Sequence, residues 1–143
     1  MGWYGGLYGV VWMVDYAEIK GQLDAQWNAA IIAEPTYYDG NLKQTSKYPG
    51  VLFITVFPST LDVLGPGGLA DIVDTDFLIK IISSVRTDLE KYISEIKRII
   101  NTKDVAGGHW RILTASKPIV VRKRYTQTLS GVEKLFVSNS NWS

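Results

Sequence analysis

Three aspartates in the middle of the chain are the first side chains whose type and spacing could bind a metal ion. On a β-strand, Asp74 and Asp76 would share one face, with Asp71 close by. A magnesium site usually also needs substrate oxygens or a further carboxylate, and a solvated strand face is the simpler explanation. We therefore predict no metal here, and an enzyme with a carboxylate-based site at these residues is our third hypothesis.

Other catalytic arrangements have no clear signature. His109 is the only histidine, and a general base or a metal ligand would need a partner that nearby spacing does not place. Gly65-Pro66-Gly67-Gly68 is glycine-rich, but no lysine follows to reach a phosphate. No GxSxG nucleophile elbow occurs. The sequence therefore predicts a non-enzymatic protein without a cofactor.

The last quarter of the chain is basic. Its cations are Arg111, Lys117, Arg122, Lys123, Arg124 and Lys134, against the single acid Glu133. If Arg122 and Arg124 alternate on a strand they share a face, where they could grip phosphates while Tyr125 and Trp110 stack on bases. Basic residues also protect edge strands from aggregation or face a neighbouring subunit. Our candidate nucleic-acid or lumen contacts are Arg122, Lys123, Arg124 and Arg111.

The composition is that of an ordinary globular domain. The chain has 143 residues, 46% hydrophobic and 20% charged, a net charge of +1 and no cysteine. It is long enough for one core, its charge gives no global preference for nucleic acid or an anionic membrane, and the lack of cysteine fits a cytoplasmic protein. No apolar run reaches the length that spans a bilayer, so we predict no membrane partner.

Residues 1–12 form an apolar segment rich in glycine and aromatic residues. Three interpretations stay open: a first strand over Leu7–Met13, an arm that packs on a neighbouring subunit, or a translated leader before a start at Met13. Tryptophan and tyrosine frequently anchor protein interfaces. The candidate intersubunit contacts are therefore Trp3, Tyr4, Leu7, Tyr8 and Trp12.

Two helices are predicted from apolar spacings of three and four residues. The first runs from Asp15 to Ile32, where Asp15 and Glu18 have the form of a capping box and Pro35 prevents continuation. The second follows an N-cap at Ser84, with Thr87 and Glu90 as a second capping-box option. Its apolar stripe comprises Val85, Leu89, Tyr92, Ile93, Ile96, Ile99 and Ile100.

Strands are predicted at 50–57, 71–82, 109–115, 118–126 and 132–138. Segment 71–82 could also begin a long helix, but its apolar residues alternate with a period of two, which favours a strand. The expected fold is α+β in the order α-β-β-α-β-β. A mostly antiparallel four- to five-stranded sheet carries two amphipathic helices on one face. We expect one domain over 13–138 and a flexible tail over 139–143.

This order of elements resembles the tail-terminator, tail-completion and neck proteins of tailed viruses. The resemblance covers Met13–Ser138 and rests on order and texture. It includes the helix VDYAEIKGQLDAQWNAAII, the extended AEPTYYDG, the strands YPGVLFITV and DIVDTDFLIKII, the helix LEKYISEIKRII and the closing GVEKLFVS. The apolar segment before Met13 departs from that pattern.

The resemblance implies a virion assembly protein that self-associates into a ring and contacts other virion proteins. Such proteins cap a tail tube or join it to a head, and have no catalytic residues. The protein would be assembled in the host cytoplasm and reside in the virion, with its basic strand lining a lumen through which DNA passes. The alternative hypothesis is a small nucleic-acid-binding domain that uses the C-terminal strands.

Overall fold

A computed structural model describes residues 14–40, 50–58, 60–64, 70–105 and 107–138. The N-terminal segment 1–12 and the tail 139–143, with the predictions made for them, lie outside the described residues. The elements in chain order are α1 (Tyr16–Gln26), β1 (Thr36–Asp39), β2 (Gly50–Val56), β3 (Thr60–Leu64), β4 (Ala70–Ser83), α2 (Arg86–Asn101), β5 (Asp104–Val105), β6 (Gly108–Ala115), β7 (Ile119–Val121) and β8 (Arg124–Ser138).

The strands form one mixed sheet. Its path is β1-β2-β4-β8-β6-β5, with β3 beside β4 and β7 beside β8, which makes eight strands in the part of the chain that the structure describes. The pairing of β1 with β2 is parallel and the other described pairings are antiparallel. The prediction of an α+β protein is confirmed, whereas the prediction of four to five strands is wrong because the short strands β1, β3 and β5 carry too few residues to show a period.

The long antiparallel pair of β4 and β8 is the centre of the sheet. Its register runs from Ala70 opposite Ser138 to Ser83 opposite Tyr125. On β4 the odd-numbered side chains from Val73 to Ser83 are buried, and the even-numbered ones are half-buried or exposed. Segment 71–82 is therefore a strand, as its period of two predicts. We call the face of the odd-numbered residues the inner face and the opposite one the outer face.

On the edge of β4 opposite β8, the pairing passes from β2 to β3 and is interrupted at Pro58. Val56 lies opposite Phe77, but Thr60 lies opposite Asp74, so the register against β4 shifts by one residue between β2 and β3. A shift of one residue is typical of a β-bulge. Proline cannot donate to the ladder, which explains why the break falls there and divides β2 from β3.

Both helices lie against the inner face. The buried residues of α2 include Leu89, Tyr92, Ile96, Ile99 and Ile100, as the predicted stripe requires. They pack into one core with Ile19 and Leu23 of α1 and with inner-face residues of the sheet. The N-cap of α2 is Val85, without a side-chain cap hydrogen bond, rather than the predicted Ser84.

The first helix is shorter than predicted. Asp15 is the N-cap, and its carboxylate accepts a hydrogen bond of 2.8 Å from the backbone N–H of Glu18. The helix ends at Gln26 because the next residues have other partners. Trp27 takes an extended backbone, its indole N–H donates to the carbonyl of Ile32 at 2.9 Å, and its ring lies 5.9 Å from that of Tyr92.

Glu95 fixes the end of α1 to α2. This side chain is 2% exposed and accepts a hydrogen bond of 2.9 Å from the backbone N–H of Asn28. Two guanidinium nitrogens of Arg98 each donate to Glu95 at 2.8 Å, and Arg98 also donates to the carbonyl of Gln26. The hydrogen bonds from Arg98 and Asn28 hold the pKa of Glu95 below its usual value, against the effect of burial.

We expect Glu95→Gln to weaken the dependence of the unfolding free energy on pH in the acid range. Because the folded-state pKa is lowered, the stabilisation by Glu95 is fully present above the unfolded-state value of about 4.3 and is lost as pH falls through the lowered value. At pH 7 the variant should lose roughly 1–2 kcal/mol of unfolding free energy. Urea unfolding from pH 3 to pH 7 measures both effects, and a variant with the wild-type pH slope would contradict this assignment.

Candidate functional site

The predicted strand 118–126 is a hairpin. Val121 pairs with Arg124, which leaves Arg122 and Lys123 as the two residues of the turn between β7 and β8. Their φ angles are +50° and +63°, and a type I′ hairpin turn requires positive φ at both positions. Sequence reasoning missed this turn because its usual signals are Asn-Gly and Asp-Gly.

The turn places two cations in a conformation that costs side chains with a Cβ about 1 kcal/mol or more each. We expect Lys123→Gly to raise the free energy of unfolding by about 1 kcal/mol, since glycine adopts positive φ without that steric cost. Lys123→Ala is the matched control, because it removes the same charge and keeps the Cβ. Urea unfolding of both variants checks the prediction, and equal stabilities of the two would contradict it.

A cleft of about 640 Å³ lies beside this hairpin. Its lining residues are Lys80, Ile82, Ile119, Arg122, Arg124, Thr126 and Thr128. Three of these side chains are cations, and none of the described lining residues is acidic. The cleft is therefore a local positive site on a protein whose net charge is only +1.

The strand register explains how the cleft forms. Thr128 lies opposite Lys80 and Thr126 opposite Ile82, with Ile119 on the other side of Thr126. These side chains belong to the outer face, away from the helices. Arg124 continues the same alternation on β8, and Arg122 reaches the cleft from the turn. Arg122 and Arg124 were predicted to share a face of one continuous strand; instead, Arg124 lines the cleft from β8 and Arg122 lines it from the turn.

Two aromatic residues extend the outer face beyond the cleft. Phe53 of β2 lies opposite Lys80, and Tyr38 of β1 lies opposite Phe53. The two rings are stacked, with centroids 5.5 Å apart and an interplanar angle of 25°. The ammonium of Lys80 lies 5.9 Å from the Phe53 centroid, within cation–π range. Lys80 therefore joins the aromatic pair to the cleft.

Two other residues predicted to contact nucleic acid or to line a lumen, Arg111 and Lys123, lie outside the cleft. Arg111 donates at 2.6 Å to the carbonyl of Trp110, and its guanidinium lies 3.7 Å from Asp104. Arg111 therefore braces β5 and is not among the residues that line the cleft. Lys123 is exposed at the turn and does not line the cleft either.

The aromatic residues expected to stack on bases are also placed differently. Trp110 is 1% exposed, and Tyr125 packs against the core from the inner face. Tyr38 and Phe53 take the outer-face position instead. Lys80 was not identified from the sequence as a site residue. It was detectable, because the strand period of two places Lys80 on the same face of β4 as Asp74 and Asp76.

The predicted metal-binding candidates do not form a site in the described structure. Asp74 lies 3.2 Å from the ammonium of Lys134, directly across the β4–β8 pair. Asp76 is exposed, and the side chain of Asp71 lies outside the described part. His109 is half-buried, with its ring 6.5 Å from that of Phe136. Among the described residues, no group of three histidine or acidic side chains could hold a metal ion.

None of the helices in the described ranges is both long enough and apolar enough to cross a membrane.

Comparison with known proteins identifies a shared fold. No protein-family model and no curated protein matches the sequence. Among solved structures, the chain is similar to one from the virion of a native gene transfer agent particle, with a TM-score of 0.57 and 16% sequence identity. The match covers 85% of this chain and 93% of that chain. At this level of identity, the comparison establishes the fold alone.

Proposed function

We propose that this protein is a non-enzymatic virion assembly protein of the tail-terminator or head–tail joining type, which self-associates into a ring. The observation that carries the proposal is the shared fold with a chain of a gene transfer agent virion, because the match covers 93% of that chain. The order of elements that resembles tail-terminator and neck proteins supports the same class. Its partners would be further copies of itself and other virion proteins, and its location would be the virion after assembly in the host cytoplasm.

Exposed apolar side chains along one edge of the sheet support self-association. Leu113 and Val120 are 62% and 60% exposed. Leu113 lies where the register of β6 shifts against β8, and Val120 belongs to β7, the short strand at the hairpin. Exposed apolar groups at a sheet edge favour association unless they are covered. In a ring, each copy would cover this edge of the next.

The proposal is tested by the solution mass of the full chain and of an edge variant that combines Leu113→Lys with Val120→Lys. We expect a discrete oligomer for the full chain and a smaller species for the variant. A matched control combines Ile31→Lys with Val85→Lys, because both side chains are 45% exposed but lie next to the helices. A monomeric full chain, or equal loss of mass in both variants, would contradict the proposed interface.

The N-terminal segment adds a second element to the proposal. Trp3, Tyr4, Leu7, Tyr8 and Trp12 would belong to an intersubunit arm. A chain that starts at Met13 should then form a smaller or weaker oligomer than the full chain. Equal masses for the two chains would show that these residues do not form an intersubunit arm. They would not contradict the edge interface.

A further inference from the structure

We infer that the cleft and the aromatic pair together bind single-stranded nucleic acid, with phosphates held by Lys80, Arg122 and Arg124 and a base stacked beside Phe53. This inference is independent of the virion role. Its basis is the position of two kinds of side chain on one face: exposed cations in a concave site and stacked rings on the adjoining strands.

The distance between the cations favours a ligand with several negative charges along a chain over a single small anion. Arg124 lies four residues before Thr128, the cross-strand neighbour of Lys80. Four residues of a strand extend about 13 Å, so the backbone positions that carry the two cations are about this far apart. Successive backbone phosphates would meet both side chains, and the hydroxyls of Thr126 and Thr128 between them can donate further hydrogen bonds.

The aromatic pair distinguishes nucleic acid from an acidic protein segment. An acidic peptide could satisfy the three cations, but its acidic side chains carry no aromatic ring to stack against Phe53. Bases of a single strand stack on aromatic side chains without regard to sequence. Phe53 is half-buried and adjoins Lys80, so a strand whose phosphate contacts Lys80 would place a neighbouring base near this ring.

The dimensions of the cleft favour a single strand over a duplex. Its volume of about 640 Å³ falls in the range of sites that enclose small ligands, roughly 300–1,000 Å³. One strand with unstacked bases can enter such a site. In a duplex, the bases are paired inside the helix and cannot reach Phe53 without flipping, which costs free energy.

The test is fluorescence anisotropy of a labelled oligothymidine single strand and of a duplex of the same length, at several salt concentrations. We expect the full chain to bind the single strand more tightly than the duplex. Three phosphate contacts should give a slope of log K against log salt near −2, at about −0.7 per contact. The triple variant of Lys80→Ala, Arg122→Ala and Arg124→Ala should lose this slope and weaken binding at least about tenfold.

The matched control is the triple variant of Lys20→Ala, Lys91→Ala and Lys97→Ala, which makes the same change in net charge on exposed helix positions. It should bind within about twofold of the full chain, since those residues lie on the helices and outside the cleft. Equal weakening by both triple variants would show that binding depends only on the overall charge of the protein, and it would overturn the inference. Thermal unfolding of each variant verifies that the fold is retained.

Phe53→Leu separates stacking from charge. It should weaken single-strand binding about tenfold and leave binding of a labelled poly-glutamate, used as the acidic-peptide probe, unchanged. Poly-glutamate binding as tight as that of the single strand would identify an acidic protein partner instead. No binding of the single strand, or tighter binding of the duplex, would also overturn the proposed site, and neither result would affect the oligomer expected of a virion assembly protein.

Discussion

Replacing Glu133 with alanine is expected to lower the free energy of unfolding by about 3 kcal/mol. Glu133 is 2% exposed, and its carboxylate has two buried donors. One oxygen accepts from the backbone N–H of Val14 at 3.0 Å, and the other accepts from the indole N–H of Trp110 at 2.6 Å. Alanine would leave both donors without this acceptor, and each unsatisfied buried donor costs roughly 1–3 kcal/mol.

Urea unfolding measures this effect, with two variants for comparison. Glu133→Gln keeps one carbonyl oxygen, so it should lose less stability than Glu133→Ala. Lys134→Ala, at the next position, removes an ion pair with the half-buried Asp74 on the outer face, and partly exposed pairs contribute about 1 kcal/mol or less. A loss below about 1 kcal/mol for Glu133→Ala would show that Glu133 is not the anchor of Val14 and Trp110.

Replacing Gly131 with alanine is expected to destabilise the protein by roughly 1–3 kcal/mol through overpacking. Gly131 lies opposite Phe77 in the central β4–β8 pair. A Cβ at this position would overlap the ring of Phe77, which is fully buried, and would lie 3.1 Å from the carbonyl oxygen of Arg111. Neither group can move without disturbing the core, so the sheet would have to shift.

A second substitution tests this explanation. Phe77→Leu should destabilise the wild-type protein by leaving a cavity, but it should be less harmful, or even favourable, when combined with Gly131→Ala. A double-mutant cycle by urea unfolding measures the coupling energy. Additive losses would show that the two positions do not compete for the same space.

Segments with a long, regular pattern were predictable from the sequence. The alternation of 71–82 identified β4, and the apolar stripe identified α2, because both patterns extend over several repeats. The first helix was predicted too long, since its apolar spacing continues to Ile31 while tertiary contacts end the helix at Gln26. Glu95 of α2 accepts a hydrogen bond from the backbone N–H of Asn28, and no local pattern in α1 signals a partner in another helix.

The candidate site was predictable only in part. Arg122 and Arg124 were identified from their cluster of charge, but the turn that directs them is made by Arg-Lys, which is not a turn signal. Lys80 and Phe53 come from other strands, so the position of Lys80 in the cleft, and of Phe53 next to Lys80, depends on the order β2-β4-β8. Glu133 was counted only as the single acid of the basic last quarter, whereas two donors distant in sequence, Val14 and Trp110, explain its burial.

The central claim is that this protein assembles with copies of itself into a ring. Negative-stain electron microscopy of the full chain, on a sample whose mass is measured by light scattering, tests it most directly. The account predicts closed rings of uniform size with a central opening, because identical heterologous contacts close when their rotation permits it. A 16.0 kDa monomer at every concentration, or open filaments without closed rings, would contradict the claim.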